Sequence, residues 1–255
     1  MILYFSGTGN SRSIAKLLAS ELGESADFIL KDSPAEIKFS GKYLGFVFPV
    51  YSWGVPPLVL DYVRNLNPQF INDADEVPVF IICVCGDEVA LAPEMIKKGL
   101  SEKGLTLAGG WSVQMPNNYV ILPGFDVDSE EVELQKLKEA PGAVKTIAGN
   151  ISENRWEENY VRGGSAWLKS RLIYPLFKRW GIFPERWQVS QACVGCGKCE
   201  EACPMKNLKL KEGTPTWGTN CVSCLACYHI CPRHAVNYGR ATLRKGQYFH
   251  PHHDV

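Results

Sequence analysis

Residues 193–204 read CVGCGKCEEACP, and residues 221–232 read CVSCLACYHICP. Both stretches have the spacing Cys-x2-Cys-x2-Cys-x3-Cys-Pro. Three thiolates in so short a turn can hold three corners of an iron–sulfur cube, and the fourth cysteine must then come from elsewhere. The repeat therefore predicts two clusters of the same kind in one small domain.

Eight cysteines also occur in zinc sites and in disulfide frameworks, but both fit this pattern poorly. A tetrahedral zinc site is typically built from two Cys-x2-Cys units. Such a site has no role for the third cysteine of each run or for the Cys-Pro that ends it. Disulfide frameworks are typical of small secreted chains. The apolar strand predicted directly after Met1 leaves no room for a signal peptide. We therefore expect two [4Fe-4S] clusters.

The cysteine pattern resembles that of the bacterial two-cluster ferredoxins. In these proteins the fourth cysteine of each run ligates the other cluster. The resemblance implies that one cluster is ligated by Cys193, Cys196, Cys199 and Cys231. It implies that the second is ligated by Cys221, Cys224, Cys227 and Cys203.

Composition limits the remaining possibilities. A chain of 255 residues has room for about two domains. Its net charge is zero, which gives no argument for nucleic acid as a partner, and we expect none. No run of about 18 apolar residues occurs, so we expect neither a transmembrane helix nor membrane contact. Eight metal-bound thiolates, with only Cys83 and Cys85 left over, indicate a reducing cytoplasm and an anaerobic or microaerobic setting.

A second motif stands at the start of the chain. The apolar residues 2–5 (ILYF) lead into the polar residues 6–11 (SGTGNS), and apolar residues then recur at helical spacing from Ile14 to Leu22. The two glycines allow a tight turn, while hydroxyls and backbone N–H groups converge on the positive end of the helix. This arrangement predicts a site for a phosphate group.

The residues of this loop indicate which type of phosphate-containing ligand it could bind. A dinucleotide fingerprint needs a third glycine where Arg12 stands, and a Walker loop needs a Gly-Lys-Ser/Thr that is absent. A Ser/Gly turn with a simple helix cap is the plain alternative. The S-x-T-G-x-S arrangement resembles the FMN phosphate loop of flavodoxins. The resemblance implies FMN contacts from Ser6, Thr8, Gly9, Asn10 and Ser11.

Strands and helices continue to alternate after this loop, which predicts an α/β fold with a doubly wound parallel sheet. The expected elements are an edge strand 27–30, a strand 43–48, a helix 56–66, a strand 77–85, a helix 93–103 and a strand 105–113. One more helix should open at Asp128 and Glu131, and another should follow Pro141. The resemblance to flavodoxins implies the strand order 2-1-3-4-5, with the ligand beyond the carboxyl ends of the strands.

Three strand ends would then meet the flavin. In flavodoxins the loop after the third strand places an aromatic ring against the isoalloxazine. The resemblance implies contacts from Pro49, Val50, Tyr51, Ser52, Trp53 and Gly54. Tyr51 or Trp53 would stack on the flavin, and local surface packing is the alternative for each.

The loops after the fourth and fifth strands complete the expected site. Cys85 and Gly86 would offer backbone groups to the flavin edge, although core packing is the main role expected for the Cys85 thiol. Asn117, Asn118 and Tyr119 would read the flavin or shape a substrate pocket. Turn chemistry also favours Pro-Asn-Asn at this point, so both interpretations stay open.

Residues 156–187 are rich in aromatic and basic side chains. We expect one apolar helical face formed by Leu168, Leu172, Leu176, Phe177 and Trp180. Such a face can dock a partner or a membrane. The sequence favours a linker helix that packs two domains together, because a small cluster domain has little core of its own.

The sequence therefore predicts four segments. They are a flavodoxin-like FMN-binding domain (1–155), the linker (156–187), a small α+β ferredoxin domain with two [4Fe-4S] clusters (188–240) and a C-terminal tail (241–255). We expect His229 to be a surface residue. We expect His250, His252 and His253 to lie in a poorly ordered tail and not in a metal site.

Taken together, the two halves resemble the EFR-type flavodoxin–ferredoxin fusion proteins. The resemblance implies a redox flavoprotein that passes electrons between two [4Fe-4S] clusters and FMN and reduces a small-molecule or protein acceptor. The alternative is a relay between redox partner proteins without small-molecule turnover, and a dimer is compatible with either. No triad, paired-carboxylate site or nicotinamide motif identifies a catalytic residue. We expect one cluster close to the flavin, near Trp53, Cys85 and Asn118.

Overall fold

The computed structural model describes residues 1–29, 34, 37–67, 69, 77–180 and 183–251. Three residues of the predictions lie outside these ranges. They are Leu30 at the end of the expected edge strand, and His252 and His253 in the tail.

The N-terminal half is built on a parallel sheet of six strands in the order β2-β1-β3-β4-β5-β6. The strands are β1 (Ile2–Tyr4), β2 (Ala26–Phe28), β3 (Leu44–Pro49), β4 (Val79–Cys85), β5 (Leu107–Gln114) and β6 (Glu158–Asn159). The predicted order of the first five strands is confirmed, and the fold is the flavodoxin-like doubly wound sheet. The two-residue strand β6, which pairs with β5 at the edge, was not predicted.

Helices cover both faces of this sheet. They are α1 (Asn10–Leu22), α2 (Pro57–Arg64), α3 (Ala92–Ser101) and α4 (Glu130–Ser152). One apolar core lies between the sheet and helices α2 and α3, and a second core lies between the opposite face and helices α1 and α4. Strands buried on both faces read as continuous apolar runs, and all seven residues of β4 are buried.

Helix α4 differs from the prediction of two helices separated at Pro141. It is one helix with Pro141 inside it, and Ser129 caps its start by accepting a hydrogen bond from the backbone N–H of Val132. A proline removes one backbone hydrogen bond and crowds the preceding turn. Burial of Val144 and Ile147 against the sheet and α1 accounts for the continuation.

The linker forms a continuous helical stretch from Ala166 to Trp180. It consists of α5 (Ala166–Leu168), a π-helical turn (Lys169–Ile173) and α6 (Tyr174–Trp180). The stretch buries Ser170, Tyr174 and Phe177 but exposes Trp167, Leu168, Leu172 and Leu176. Of the apolar face expected from the sequence, only Phe177 is shown to point inward.

Hydrogen bonds explain which face of this stretch is buried. Ser170 Oγ donates to the Trp53 carbonyl at 2.7 Å and accepts from the Leu91 N–H at 2.9 Å. The Tyr174 hydroxyl donates to the Val55 carbonyl. These polar contacts hold the stretch against the loops that follow β3 and β4. Across the described ranges, none of the helices combines the length and the apolar character needed to cross a bilayer.

The C-terminal half is a small α+β domain with internal two-fold symmetry. Its elements are β7 (Trp187–Val189), α7 (Lys198–Glu201), β8 (Leu208–Lys211), β9 (Thr214–Trp217), α8 (Ala226–His229) and β10 (Val236–Tyr238). Strand β7 pairs with β10, and β8 pairs with β9, both antiparallel. The first cysteine run connects β7 to β8 and the second connects β9 to β10, so each run occupies the same position in its half of the repeat.

Candidate functional site

A cleft of about 710 Å³ opens at the carboxyl ends of the parallel strands, which is the usual place for a ligand in such sheets. Its walls include these residues predicted to contact FMN: Ser6, Thr8, Asn10, Ser11, Pro49, Val50, Tyr51, Ser52, Cys85, Gly86, Asn117, Asn118 and Tyr119. An adjoining open cleft of about 860 Å³ shares several of these residues and adds Trp53. Gly9 and Gly54 shape the loops without lining either cleft.

The loop before α1 has the features of an anion site. Gly9 has a φ of 101°, a left-handed conformation that favours glycine, and no side chain caps the first turn of α1. Ser11 Oγ is buried, and within the described part of the chain it has no hydrogen-bond partner. A buried hydroxyl without a partner is costly. A phosphate at this helix N-terminus would satisfy it, so the residues present fit the group.

The loop after β5 closes over this phosphate loop. Thr8 is buried, and its Oγ1 accepts a hydrogen bond from Asn118 Nδ2 at 2.6 Å. Because the Thr8 oxygen is the acceptor in this bond, its own hydroxyl hydrogen can be donated to a different group. Asn10 Nδ2 donates to the Pro116 carbonyl at 3.0 Å. Hydrogen bonds thus hold the loop before α1 and the loop after β5 together.

Asn117 is held by a carboxylate cluster beside the cleft. Its Nδ2 donates to Asp128 Oδ1 at 2.9 Å, and its backbone N–H donates to Asp128 Oδ2. Burial opposes the charge of Asp128, but hydrogen bonds from Lys136 and Asn117 outweigh it and lower the pKa of this carboxyl group. A Cβ at Gly86 would collide with the Asn117 side-chain oxygen. The predicted site residue Gly86 is therefore required for close packing.

A tight turn follows β3. Tyr51 and Gly54 exchange two backbone hydrogen bonds of 2.8 and 2.9 Å. Between them, Ser52 and Trp53 have φ values of 46° and 63°. Such left-handed conformations cost about 1–3 kcal/mol for residues other than glycine and cluster at ligand sites. Ser52 and Trp53 therefore adopt unfavourable backbone conformations in the turn that carries the two aromatic side chains.

The two aromatic candidates of this turn lie in adjoining clefts. Tyr51 lines the first cleft, where its ring packs edge-on against Phe177. Trp53 lines the second cleft, where its indole N–H donates to Glu88 Oε1 at 2.7 Å and its ring faces Lys169 Nζ at 5.4 Å. A planar ligand that extends from one cleft to the other would meet both rings.

None of the ten cysteines forms a disulfide bond. One cavity of about 340 Å³ is lined by four of them, Cys193, Cys196, Cys199 and Cys231. Burial, with a smaller contribution from the neighbouring Cys231 and Cys193, raises the pKa of the Cys199 thiol to about 11. In the described ranges, no three Cys, His, Asp or Glu side chains are arranged to hold a single metal ion. The four thiols instead line one common cavity.

The other four cysteines form a second set. Burial, with a smaller contribution from the neighbouring Cys221 and Cys203, raises the pKa of the Cys224 thiol to about 12. The pKa of Cys227 is raised for the same reason, first by burial and then by the other three thiols. In both sets, the fourth cysteine belongs to the opposite run. The arrangement is the crossover that the ferredoxin resemblance implies.

The second cysteine run differs from the first in its left-handed positions. The first run has glycine at these positions, Gly195 and Gly197. The equivalent residues of the second run are Ser223 and Leu225, with φ values of 54° and 62°. Their side chains, together with Cys224, form part of the wall of the 710 Å³ cleft. The second run thus has Ser223 and Leu225 in left-handed conformations that favour glycine, at the positions where it faces the cleft.

The second thiol set adjoins the cleft directly. A Cβ placed on Gly7 of the phosphate loop would lie 2.6 Å from the Cys224 carbonyl oxygen. Tyr51 and Cys224 both line the cleft, and burial, together with the neighbouring Cys224 and Cys221, raises the pKa of the Tyr51 phenol. Cys85 and Asn118 share the cleft with Cys224, while Trp53 lies in the adjoining cleft.

Two expectations for the C-terminal part are wrong. His229 is buried and not a surface residue: its Nδ1 accepts from the Tyr248 N–H at 3.1 Å, so Nε2 carries the hydrogen and donates to the Asn118 carbonyl at 2.7 Å. Burial lowers the pKa of His229 to about 4. His250 is also buried, and its backbone N–H donates to the Thr8 carbonyl at 2.9 Å.

The family model of the 4Fe-4S dicluster domain matches residues 192–236, which include both cysteine runs. A search of curated proteins found no match. The chain is therefore a ferredoxin-type dicluster domain joined to a flavodoxin-like domain, which is an architecture for electron transfer.

Several solved structures resemble the N-terminal half. The Trp repressor binding protein of Bacillus subtilis is 15% identical, covers 57% of this chain and 96% of its own, and has a TM-score of 0.38. A flavodoxin of Streptococcus pneumonia TIGR4 is 15% identical, with coverages of 57% and 97% and a TM-score of 0.32. An NAD(P)H:quinone oxidoreductase from Methanothermobacter marburgensis is 12% identical, with coverages of 57% and 94% and a TM-score of 0.35. At these TM-scores the likenesses add nothing to what the strand order already shows.

Proposed function

We propose that this chain is a redox flavoprotein that passes electrons between FMN, bound in the cleft, and two [4Fe-4S] clusters, bound by the two thiol sets. The single observation that carries the proposal is the position of Cys224, which belongs to the second thiol set and also lines the cleft. A cysteine in both places makes the two cofactors neighbours. We further propose that the chain is an EFR-type flavodoxin–ferredoxin fusion protein.

The FMN phosphate would be held at the start of α1. The orphan hydroxyl of Ser11, the hydroxyl of Thr8 and the backbone of Asn10 support this position. The ring would be held by the loops after β3, β4 and β5, with contacts drawn from Pro49, Val50, Tyr51, Ser52, Trp53, Gly54, Cys85, Gly86, Asn117, Asn118 and Tyr119. When bound, FMN carries one or two electrons and each cluster carries one.

The two thiol sets differ in their distance from the surface. Cys196 of the first set is exposed, and the adjacent Val194 is 64% exposed. In the second set, Cys224 is partly buried against the core of the N-terminal half, and Cys227 is buried in the core of the cluster domain. We infer an order in which a redox partner protein docks beside the first set, and the second set stands between it and the flavin.

The adjoining cleft gives a small molecule access to the flavin. It is open to solvent, and its wall includes Trp53, Tyr119 and the partly exposed Leu122 and Phe125. This favours an enzyme that reduces a small-molecule acceptor over the alternative, a relay between protein partners. A scan of candidate acceptors with dithionite-reduced protein separates the two, because an enzyme would show a rate that saturates with the concentration of its acceptor, whereas a pure relay would show only non-saturating oxidation by small molecules.

We propose that the chain divides into the flavodoxin-like domain (1–155), the linker (156–187), the ferredoxin domain (188–240) and the C-terminal segment (241–255), and that it works in a reducing cytoplasm. Anaerobic purification with iron and flavin analysis tests the cofactor content. We expect roughly eight irons and one FMN per chain from the two thiol sets and the phosphate loop. About four irons, or FAD in place of FMN, would overturn the proposal.

A further inference from the structure

The C-terminal segment from Thr242 to His250 runs from the cluster domain back to the phosphate loop. It is first fastened to the second cysteine run. The hydroxyl of the fully buried Tyr228 lies 2.8 Å from the Lys245 carbonyl and 3.0 Å from the Gly246 carbonyl. Gln247 Nε2 donates to the Cys231 carbonyl at 3.0 Å. This end of the segment therefore moves with the cluster domain.

The segment then contacts the N-terminal half. Lys245 Nζ donates to the Phe125 carbonyl at 2.6 Å, and the Gly246 N–H donates to Asp126 Oδ1 at 2.8 Å. A Cβ at Gly246 would collide with Val127. The close approach fixes the direction in which the segment leaves the cluster domain.

The last described residues reach the phosphate loop itself. The Tyr248 hydroxyl donates to Asn10 Oδ1 at 2.6 Å, and both side chains are buried. The His250 N–H donates to the Thr8 carbonyl at 2.9 Å. Asn10 is the first residue of α1, and its side-chain amide is bonded at the other end to Pro116. Tyr248 thereby completes the set of bonds that fixes the Asn10 side chain.

We infer that Tyr248 and the backbone of His250 are positioning groups of the flavin phosphate site, so that the C-terminal segment orders the phosphate loop before the ligand arrives. The inference rests on the proposed function, in which this loop binds the phosphate of FMN. A loop already held in its binding conformation loses less entropy when it binds, which increases affinity without any new contact to the ligand. Because the same segment is bonded to the Cys231 backbone, phosphate binding and docking of the cluster domain are linked.

Comparison of FMN with riboflavin, which lacks the phosphate, tests this role. Both affinities are measured by flavin fluorescence quenching on the full-length protein with its clusters reconstituted. Tyr248→Phe should raise the Kd for FMN about fivefold, as expected for one lost hydrogen bond, and leave the Kd for riboflavin unchanged. Tyr160→Phe is the matched control, because it removes a buried hydroxyl that has no partner among the described residues. Its FMN affinity should equal that of the unmodified chain.

Two truncations test the segment as a whole. A chain that ends at Gly246 should bind FMN more than tenfold more weakly, whereas a chain that ends at Pro251 should bind it normally. If the unmodified chain, Tyr248→Phe and the chain that ends at Gly246 all bind FMN with equal affinity, this inference is overturned and the proposed function is not. The same holds if the variants lose equal affinity for FMN and for riboflavin. A full-length chain that binds neither flavin would overturn the proposed function and this inference with it.

Discussion

Gly7 and Cys224 are in van der Waals contact across the junction of the two halves. A Cβ on Gly7 would lie 2.6 Å from the Cys224 carbonyl oxygen and 2.8 Å from its Cβ. The partner atoms belong to the backbone and its first side-chain carbon, so they cannot rotate away. Glycine at this position therefore allows Cys224, the proposed cluster ligand, to approach the loop proposed to bind the FMN phosphate.

Gly7→Ala should push these two loops apart. We expect a loss of about 1–3 kcal/mol in the free energy of unfolding, as is typical when an atom is forced into a packed interior, together with slower electron transfer between cluster and flavin. Denaturant unfolding and rapid-mixing kinetics measure the two effects.

Gly149→Ala is the matched control for this substitution. Gly149 lies in α4, and a methyl group added there would have no other atom within 4 Å. Alanine is also the better helix former by about 1 kcal/mol. The control should be as stable as the unmodified chain or more stable. Gly7→Ala behaving in the same way would show that the contact does not constrain the junction.

Cys203→Ala should damage the second cluster and not the first. Cys203 is the fourth cysteine of the first run, but its thiol neighbours Cys221, Cys224 and Cys227 of the second run. Iron analysis and electron paramagnetic resonance of the reduced protein should show loss of the cluster that adjoins the flavin. Cys83→Ala, a change in a fully buried core thiol, should keep both clusters. Selective loss of the other cluster in Cys203→Ala would reverse the ligand sets.

Thr8→Val should weaken FMN binding by about 1–3 kcal/mol, because the substitution removes a hydrogen bond to a charged acceptor while keeping a similar side-chain volume. The change also removes the acceptor for Asn118 Nδ2, so FMN and riboflavin titrations are compared to isolate the phosphate contribution. Thr146→Val, in the exposed part of α4, should bind FMN normally. Unchanged FMN affinity in Thr8→Val would mean that the phosphate binds elsewhere.

The parts of this molecule that the sequence predicted are those in which chemistry is encoded locally. The cysteine runs and the phosphate loop each occupy a dozen residues or fewer, and strand order follows from the alternation of elements. The bond between Tyr248 and Asn10 joins residues 238 positions apart. No periodicity or spacing carries such a contact, and a polar tail with histidines is indistinguishable in sequence from an unpacked one.

The linker shows a second limit. Its leucines recur at helical spacing, which predicts a buried apolar face, but the hydrogen bonds of Ser170 and Tyr174 select the opposite face. The partners of these bonds are backbone groups in loops far away in sequence. Helix α4 differs for the same kind of reason, since burial against the sheet outweighs the local effect of Pro141.

We propose that electrons pass from cluster to flavin within one molecule, across the contact between Gly7 and Cys224. Rapid mixing of the protein with dithionite, with flavin absorbance followed over a range of protein concentrations, tests this path. Transfer within one molecule should give a rate of flavin reduction that is independent of protein concentration. A rate that rises in proportion to protein concentration would contradict it, because transfer would then occur between separate molecules.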